Sequence, residues 1–218
     1  DAFISKYNSD GTKQWTRLLG TSSYDLGRSI STAADGSVYI TGVTEGNLDG
    51  QTNSGDRDAF ISKYNSDGSK QWTRLLGTSA LLDSGYSIST AADGSIYITG
   101  STYGDLDGQT NSGEADGFSE DAFISKYSSD GSKQWTQLLG TYREEDGYSI
   151  STAADGSIYI TGGTQGNLDG QTNSGGTDAF ISKYRSDGTK QWTQLLGTSS
   201  VDVSTADDGS IYITRSEG

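Results

Sequence analysis

Oxygen-rich loops are the clearest offer of chemistry in this chain. The segment Asn47-Leu48-Asp49-Gly50-Gln51-Thr52-Asn53-Ser54-Gly55 returns at 105–113, with Asp105 in place of Asn47, and again at 167–175. Hard cations such as calcium collect oxygens from carboxylates, amides and backbone carbonyls, and a glycine-rich loop with spaced Asp and Asn can supply them. The candidate ligands are Asn47, Asp49, Asn53 and Asp56 in the first loop, Asp105, Asp107, Asn111, Glu114 and Asp116 in the second, and Asn167, Asp169 and Asn173 in the third. The glycine position and final Glu of an EF-hand are missing, so the loop is not that motif. Its other reading is an Asx-turn loop in which Asp and Asn bind their own backbone. The residues leave both readings open, and calcium is the one cofactor they suggest.

Further acids gather nearby: Glu114, Asp116 and Glu120 in the second unit, then Glu144, Glu145 and Asp146 in the third. The chain as a whole has 29 acidic against 15 basic residues, a formal charge of -14. That balance opposes phosphate backbones and anionic membranes and favours cations or cationic partners. No apolar run is long enough to insert in a membrane as a helix. Cys and His are both absent, which removes thiol nucleophiles, thiolate metal sites, disulfides and imidazole bases. No Gly-x-Ser-x-Gly element occurs, and the Lys residues fall at two repeated positions, those of Lys6 and Lys13. The expectation is therefore a protein that is not an enzyme, with no catalytic residues to name. Glycoside hydrolysis by paired carboxylates ranks third among the functions considered, because it needs a cleft the sequence does not reveal. Trp15, Trp72, Trp135 and Trp192 share one repeat position. They could form equivalent sugar-stacking platforms of a multivalent lectin, or pack between repeats.

These side chains sit on a repeated frame. Asp-Ala-Phe-Ile-Ser-Lys-Tyr starts at Asp1, Asp58, Asp121 and Asp178, at spacings of 57, 63 and 57 residues, the extra six lying between Gly113 and Asp121. Each unit reads as four short strands, DAFISKY, KQWTRLLG, a segment like YSISTAA, and SIYITG, which is the content of a propeller blade. Asp-Gly turns such as Asn8-Ser9-Asp10-Gly11 and Ala34-Asp35-Gly36 make two connections tight. The other two, of the kind 20–28 and 42–57, are long and variable. In a meander the tight turns share one face and the variable loops the opposite one. Small residues in 29–34 suit a crowded axis and the bulky 13–18 strand suits the rim. The expected fold is thus all-β, a four-bladed β-propeller with four antiparallel strands per blade. Its blades would be 29–76, 86–139, 148–196, and a composite of 203–214 with 1–19, closed by the N-terminal and C-terminal strand pairs. The rival arrangement is an open array, either half of an eight-bladed dimer or a piece of a longer solenoid. A monomer is expected of the ring and a dimer of the rival. The chain opens at Asp1 inside a repeat, as a processed chain or a fragment would.

The pattern DAF-x-x-K, Asp-Gly, Trp, Leu-Gly, then DGS-[VI]-Y-I-T-G resembles the SBBP β-propeller repeat of bacterial secreted and surface proteins, in all four units. Its DGSIYITG half is also similar to NHL-type propellers. The resemblance implies a propeller in an extracellular or cell-surface setting and says less about function, since propellers host many activities. The leading expectation is a non-catalytic binding, adhesion or scaffold module. It would meet a protein or glycan ligand on its acidic variable-loop face, aided by calcium, with no nucleic acid and no membrane insertion. A carbohydrate-binding, lectin-like propeller is the alternative.

Overall fold

Every tight turn is built the same way. In Asn8-Ser9-Asp10-Gly11 the Asp10 carboxylate accepts the Thr12 backbone N–H at 2.8 Å, and Gly11 takes φ +83°, a conformation that costs other residues about 1 kcal/mol or more. A computed structural model describes residues 1–79, 82–113, 119–197 and 201–215. Its strands are β1 (Ala2–Tyr7), β2 (Lys13–Leu19), β3 (Asp25–Thr32), β4 (Val38–Thr44), β5 (Asp58–Tyr64), β6 (Lys70–Leu76), β7 (Asp83–Thr90) and β8 (Ile96–Thr102). They continue as β9 (Asp121–Tyr127), β10 (Lys133–Leu139), β11 (Glu145–Thr152), β12 (Ile158–Thr164), β13 (Asp178–Tyr184), β14 (Lys190–Leu195), β15 (Val201–Thr205) and β16 (Ile211–Arg215).

Three four-stranded antiparallel meanders result, β3-β4-β5-β6, β7-β8-β9-β10 and β11-β12-β13-β14, flanked by the hairpins β1-β2 and β15-β16. Strand alternation gives each meander two apolar faces, so the core is divided into thin layers between successive sheets. Tyr39, Ala59 and Ile61 of the first sheet meet Ile88, Ile98 and Phe123 of the second. Tyr97, Ala122 and Ile124 of the second meet Ile150, Ile160 and Phe180 of the third. The strands β3, β7, β11 and β15 touch in succession, which makes them the inner row and puts β6, β10 and β14 at the rim.

Hydroxyl groups stitch that inner row. Ser31 Oγ meets Thr90 Oγ1, Ser89 Oγ meets Thr152 Oγ1, and Ser151 Oγ meets Thr205 Oγ1, each at 2.9 Å. Buried polar atoms must be paired to avoid a desolvation penalty, so a repeated Ser/Thr ladder suits a crowded axis.

Among the described residues the expected composite fourth sheet is not formed. The hairpins β1-β2 and β15-β16 remain separate two-stranded sheets, each docked on its neighbouring meander. β16 pairs with β15 and β1 with β2, and no ladder joins β16 to β1 among the described residues. The observed meanders also begin earlier than the expected blades, at Asp25, Asp83 and Glu145, because a bulge after Gly27, Gly85 and Gly147 lets the inner strand continue past it.

Candidate binding face

The recurring loops fold onto themselves. Asn47 Oδ1 accepts the Asn53 N–H at 3.0 Å, Asn53 Nδ2 donates to Thr44 O at 3.0 Å, and Asn53 Oδ1 accepts from Gly55 N at 3.1 Å. Asp105 and Asn111 repeat this with Thr102 and Gly113, as do Asn167 and Asn173 with Thr164 and Gly175. Asp49, Asp107 and Asp169 all adopt positive φ, 51°, 53° and 51°. Their carboxylates reach outward to the rim strand: Asp49 to Lys70 and Thr73, Asp107 to Lys133 and Thr136, and Asp169 to Lys190 at 2.6 Å and Thr193 at 2.5 Å. Leu48, Leu106 and Leu168, each at most 1% exposed, plug the layers beneath. Asp56 is exposed at the loop's end, and Glu114 and Asp116 lie outside the described residues. Among the described residues no three or more acidic side chains converge in a metal-ligating group. The geometry is that of an Asx loop anchored by an ion pair, in which the Asn47 and Asn53 amide oxygens and both Asp49 oxygens have protein partners and Asp105 uses one oxygen.

A second acidic set, of which the sequence marks only Glu145 among its clustered acids, lies at the strand starts. Asp58, Asp83, Asp121 and Glu145 are fully buried at the loop ends of the sheets. Asp83 accepts from Thr78 N at 2.6 Å and from the Thr102 hydroxyl, while Asp58 Oδ2 accepts from Ser54 N at 2.9 Å. Backbone bonds tie the same positions across the seam, Asp83 N to Arg57 O and Glu145 N to Glu120 O, both 2.8 Å. Burial pushes the Asp121 carboxyl up to about 6, and burial together with the Asp83 charge raises Asp58. One oxygen of each, Asp58 Oδ1 and Asp121 Oδ1, is buried without a hydrogen-bond partner. The DAFISKY repeat reads as strand, and nothing in its composition marks its leading Asp as buried.

The bulges build the most accessible constellation. Arg28, Tyr86 and Tyr148 are the bulged residues of the three inner strands, one per sheet, just after Gly27, Gly85 and Gly147. They form a row: the Arg28 guanidinium lies 4.6 Å from the Tyr86 ring centre, and the Tyr86 and Tyr148 rings are 6.1 Å apart at 47°. An open recess of about 460 Å³ lies between them. Tyr148 Oη donates to Asp146 Oδ2 at 3.1 Å, while Asp146 Oδ1 is buried with no partner. Glu120 joins the group, its carboxyl raised to about 7 by burial and by the neighbouring Asp146 charge. Tyr103 is raised to about 12 by burial and the same acids. Such a cluster holds negative charge against aromatic faces, the arrangement that attracts a cation. The acids were legible in the sequence. The tyrosines were not singled out, although their recurrence after Gly at one repeat position was the available signal.

Trp and Lys are spent on the frame. Trp72 Nε1 donates to Ser129 O at 3.3 Å and Trp135 Nε1 to Ser186 O at 3.2 Å, each ring lying on the turn glycine of the next sheet, Gly131 and Gly188. Lys63 and Lys126 donate to the same two carbonyls at 3.0 Å. These indole faces are therefore packed between sheets rather than offered as sugar platforms.

Comparison with known proteins agrees with this architecture. The family described as a beta-propeller repeat, SBBP, matches residues 14–49 and 71–107. The regulatory protein FlaEY of Caulobacter vibrioides is 30% identical over 226 residues, covering 91% of this chain; the chain spans 24% of that protein's length. A solved protein of unknown function from Bacteroides caccae superposes with a TM-score of 0.55 at 9% identity, over 94% of this chain and 57% of that one, a likeness of fold alone. BamB from Moraxella catarrhalis gives a TM-score of 0.35 at 14% identity over 97% of this chain and 63% of its own, too low to carry an argument. Repeat spacing, four-stranded meanders and the family match converge: the chain carries SBBP β-propeller repeats, matched at residues 14–49 and 71–107.

Proposed function

We propose that the chain is a non-catalytic recognition module that docks a cationic protein segment on its loop face, in a secreted or cell-surface setting. The observation that carries this is the recess lined by Arg28, Tyr86 and Tyr148, with Asp146 and Glu120 close behind the rings and one buried oxygen of Asp146 without a partner. Arg28 already lies on the Tyr86 ring, so a Lys or Arg side chain entering there would take the Tyr148 ring and the adjoining Asp146 carboxylate. The name of the FlaEY relative, a regulatory protein, fits recognition rather than turnover. The setting rests on the resemblance to repeats of secreted and surface proteins.

Calorimetric titration with a Lys/Arg-rich peptide, and separately with calcium, tests the reading. Binding of the peptide that weakens about tenfold or more in Asp146→Asn and Tyr148→Ala, and falls with salt, is the expected result. Peptide binding indifferent to both substitutions would refute it. Calcium binding that those variants abolish, without peptide binding, would replace the peptide by a metal ion at the same acids.

A further inference from the structure

We infer, on the reading that the loop face docks a cationic segment, that the recess takes that segment's C-terminal lysine or arginine: its carboxylate binds Arg28, and its side chain binds Tyr148 and Asp146. The three inner strands carry the same segment, Ser-Ile-Ser-Thr-Ala-Ala, at 29–34, 87–92 and 149–154. Just before it, at the recess, the repeat departs from itself. Where two units have Tyr86 and Tyr148, the first has Arg28. Where the first two have Leu26 and Ser84, the third has Asp146, and Glu120 stands where the other units have Arg57 and Thr177. The line of bulged residues thereby runs from a cation at Arg28, across the Tyr86 ring, to the Tyr148 ring with its acid. Both ends act on the ring between them: burial and the Asp146 charge push the Tyr86 hydroxyl up, while the Arg28 charge pulls it down.

Arg28 is the feature that a purely cationic ligand leaves unexplained, because a guanidinium in the recess repels incoming Lys and Arg side chains. A ligand that brings an anion with its cation turns that repulsion into a contact. Other arginines are engaged: Arg17 and Arg74 donate to Gly68 O at 2.9 Å and Gly131 O at 3.1 Å, and Arg57 pairs with Glu45 at 2.8 Å. Arg28 is exposed, and among the described residues its guanidinium has the Tyr86 face as a neighbour but no hydrogen-bond or ion-pair partner. Stacking uses the flat face of the group and leaves the N–H fork along its edge, which matches a carboxylate by two parallel hydrogen bonds. The recess of about 460 Å³ is lined by Arg28, Tyr86 and Tyr148, so one ligand touches both ends. The guanidinium lies 4.6 Å from the Tyr86 ring centre, and that centre 6.1 Å from the centre of Tyr148. An extended lysine at a chain terminus holds its ammonium about 6–7 Å from its carboxylate. A hydrogen bond of about 2.8 Å at each end covers the rest of the span. A lysine inside a chain has no carboxylate of its own, so the last residue is the one that matches.

Calorimetric titration with a Lys/Arg-rich peptide ending in lysine, once as the free acid and once as the C-terminal amide, is the test. Attraction to a chain of formal charge -14 favours the amide, which lacks the terminal negative charge. The expected result is the reverse, with the free acid binding about tenfold or more tightly. In Arg28→Gln the preference should vanish or invert, while the amide binds at least as well as it does to the wild-type chain. The amide titration thus also shows that the face is intact in that variant. Asp146→Asn should weaken both forms alike. Equal binding of the two peptides, or a free-acid preference that survives Arg28→Gln, would overturn the inference and leave the docking of a cationic segment standing. Loss of amide binding in Arg28→Gln would make Arg28 part of the frame rather than a carboxylate partner, and would overturn it as well. Binding of neither peptide to the wild-type chain would remove the docking reading and this inference together.

Discussion

Trp72 lies flat over Gly131, the turn glycine of the next sheet, and its indole N–H donates to Ser129 O of the same turn at 3.3 Å. A Cβ at position 131 would stand 2.9 Å from the Trp72 ring. The contact explains why a surface turn and a rim tryptophan repeat together: each is half of a clamp between neighbouring sheets.

Gly131→Ala should therefore cost more than its backbone strain. Gly94 is the control, with φ +83° against +85° at Gly131 and nothing within 4 Å of its Cβ position. Gly94→Ala should lose about 1 kcal/mol from the left-handed conformation alone. Gly131→Ala should lose a further 1–3 kcal/mol, roughly, because the indole must shift in a packed layer. Urea denaturation of both variants checks this, and equal losses would show that the indole moves aside freely.

The loop carboxylates make a graded prediction. Asp169 sits at φ 51° and holds Lys190 and Thr193. Asp169→Ala should cost about 1–2 kcal/mol, since the charge-assisted bonds are partly exposed and the strained conformation remains. Asp169→Gly loses the same bonds but relieves about 1 kcal/mol of strain, so it should be the milder change. Thermal melts that rank Ala at or above wild type would mean the anchor contributes nothing to stability.

Much of the frame was readable because a repeat shows its own punctuation. Asp-Gly turns, period-two strands and the Trp position recur, and the inner and outer strand assignment followed from small residues at 29–34 against bulky ones at 13–18. Closure was not readable. Whether β16 reaches β1 depends on the angle between sheets, which is set by contacts such as Ser31 with Thr90 and Trp72 with Gly131, and no residue type encodes it. The loops at Asn47, Asp105 and Asn167 were found correctly as recurring features, but Asx loops and cation loops use the same residues. Only the positions of Lys70, Lys133 and Lys190, distant in sequence, show where the Asp oxygens go. Tyr86 and Tyr148 were obscured because a bulge re-aims one residue of a strand, and alternation counts place that residue on the wrong side.

Stability should fall as pH rises from the ordinary carboxylate range towards neutrality. Burial raises Asp121 to about 6 and, with Asp146 beside it, Glu120 to about 7; burial also raises Asp58, Asp83 and Glu145. For a carboxyl raised on folding, the native state holds the proton longer than the unfolded chain. The stability linked to that proton is therefore complete below the unfolded value, near 4, and is lost as pH climbs through the folded value. The turn carboxylates act in the opposite sense: the Ser128 hydroxyl and the Ser132 N–H hold Asp130 down to about 2, and their contribution is present above the ordinary range and lost only as pH drops towards that value. The two sets leave a maximum in mildly acid solution, between the acid loss from the turns and the loss from the buried acids. Melting curves from pH 3 to pH 8, in roughly unit steps that bracket these values, should peak near pH 4–5, and Glu120→Gln should flatten the decline around about pH 7. A melting temperature that rises steadily to pH 8 would show that the buried acids ionise without penalty, through water or a cation reaching Asp58 Oδ1 and Asp121 Oδ1.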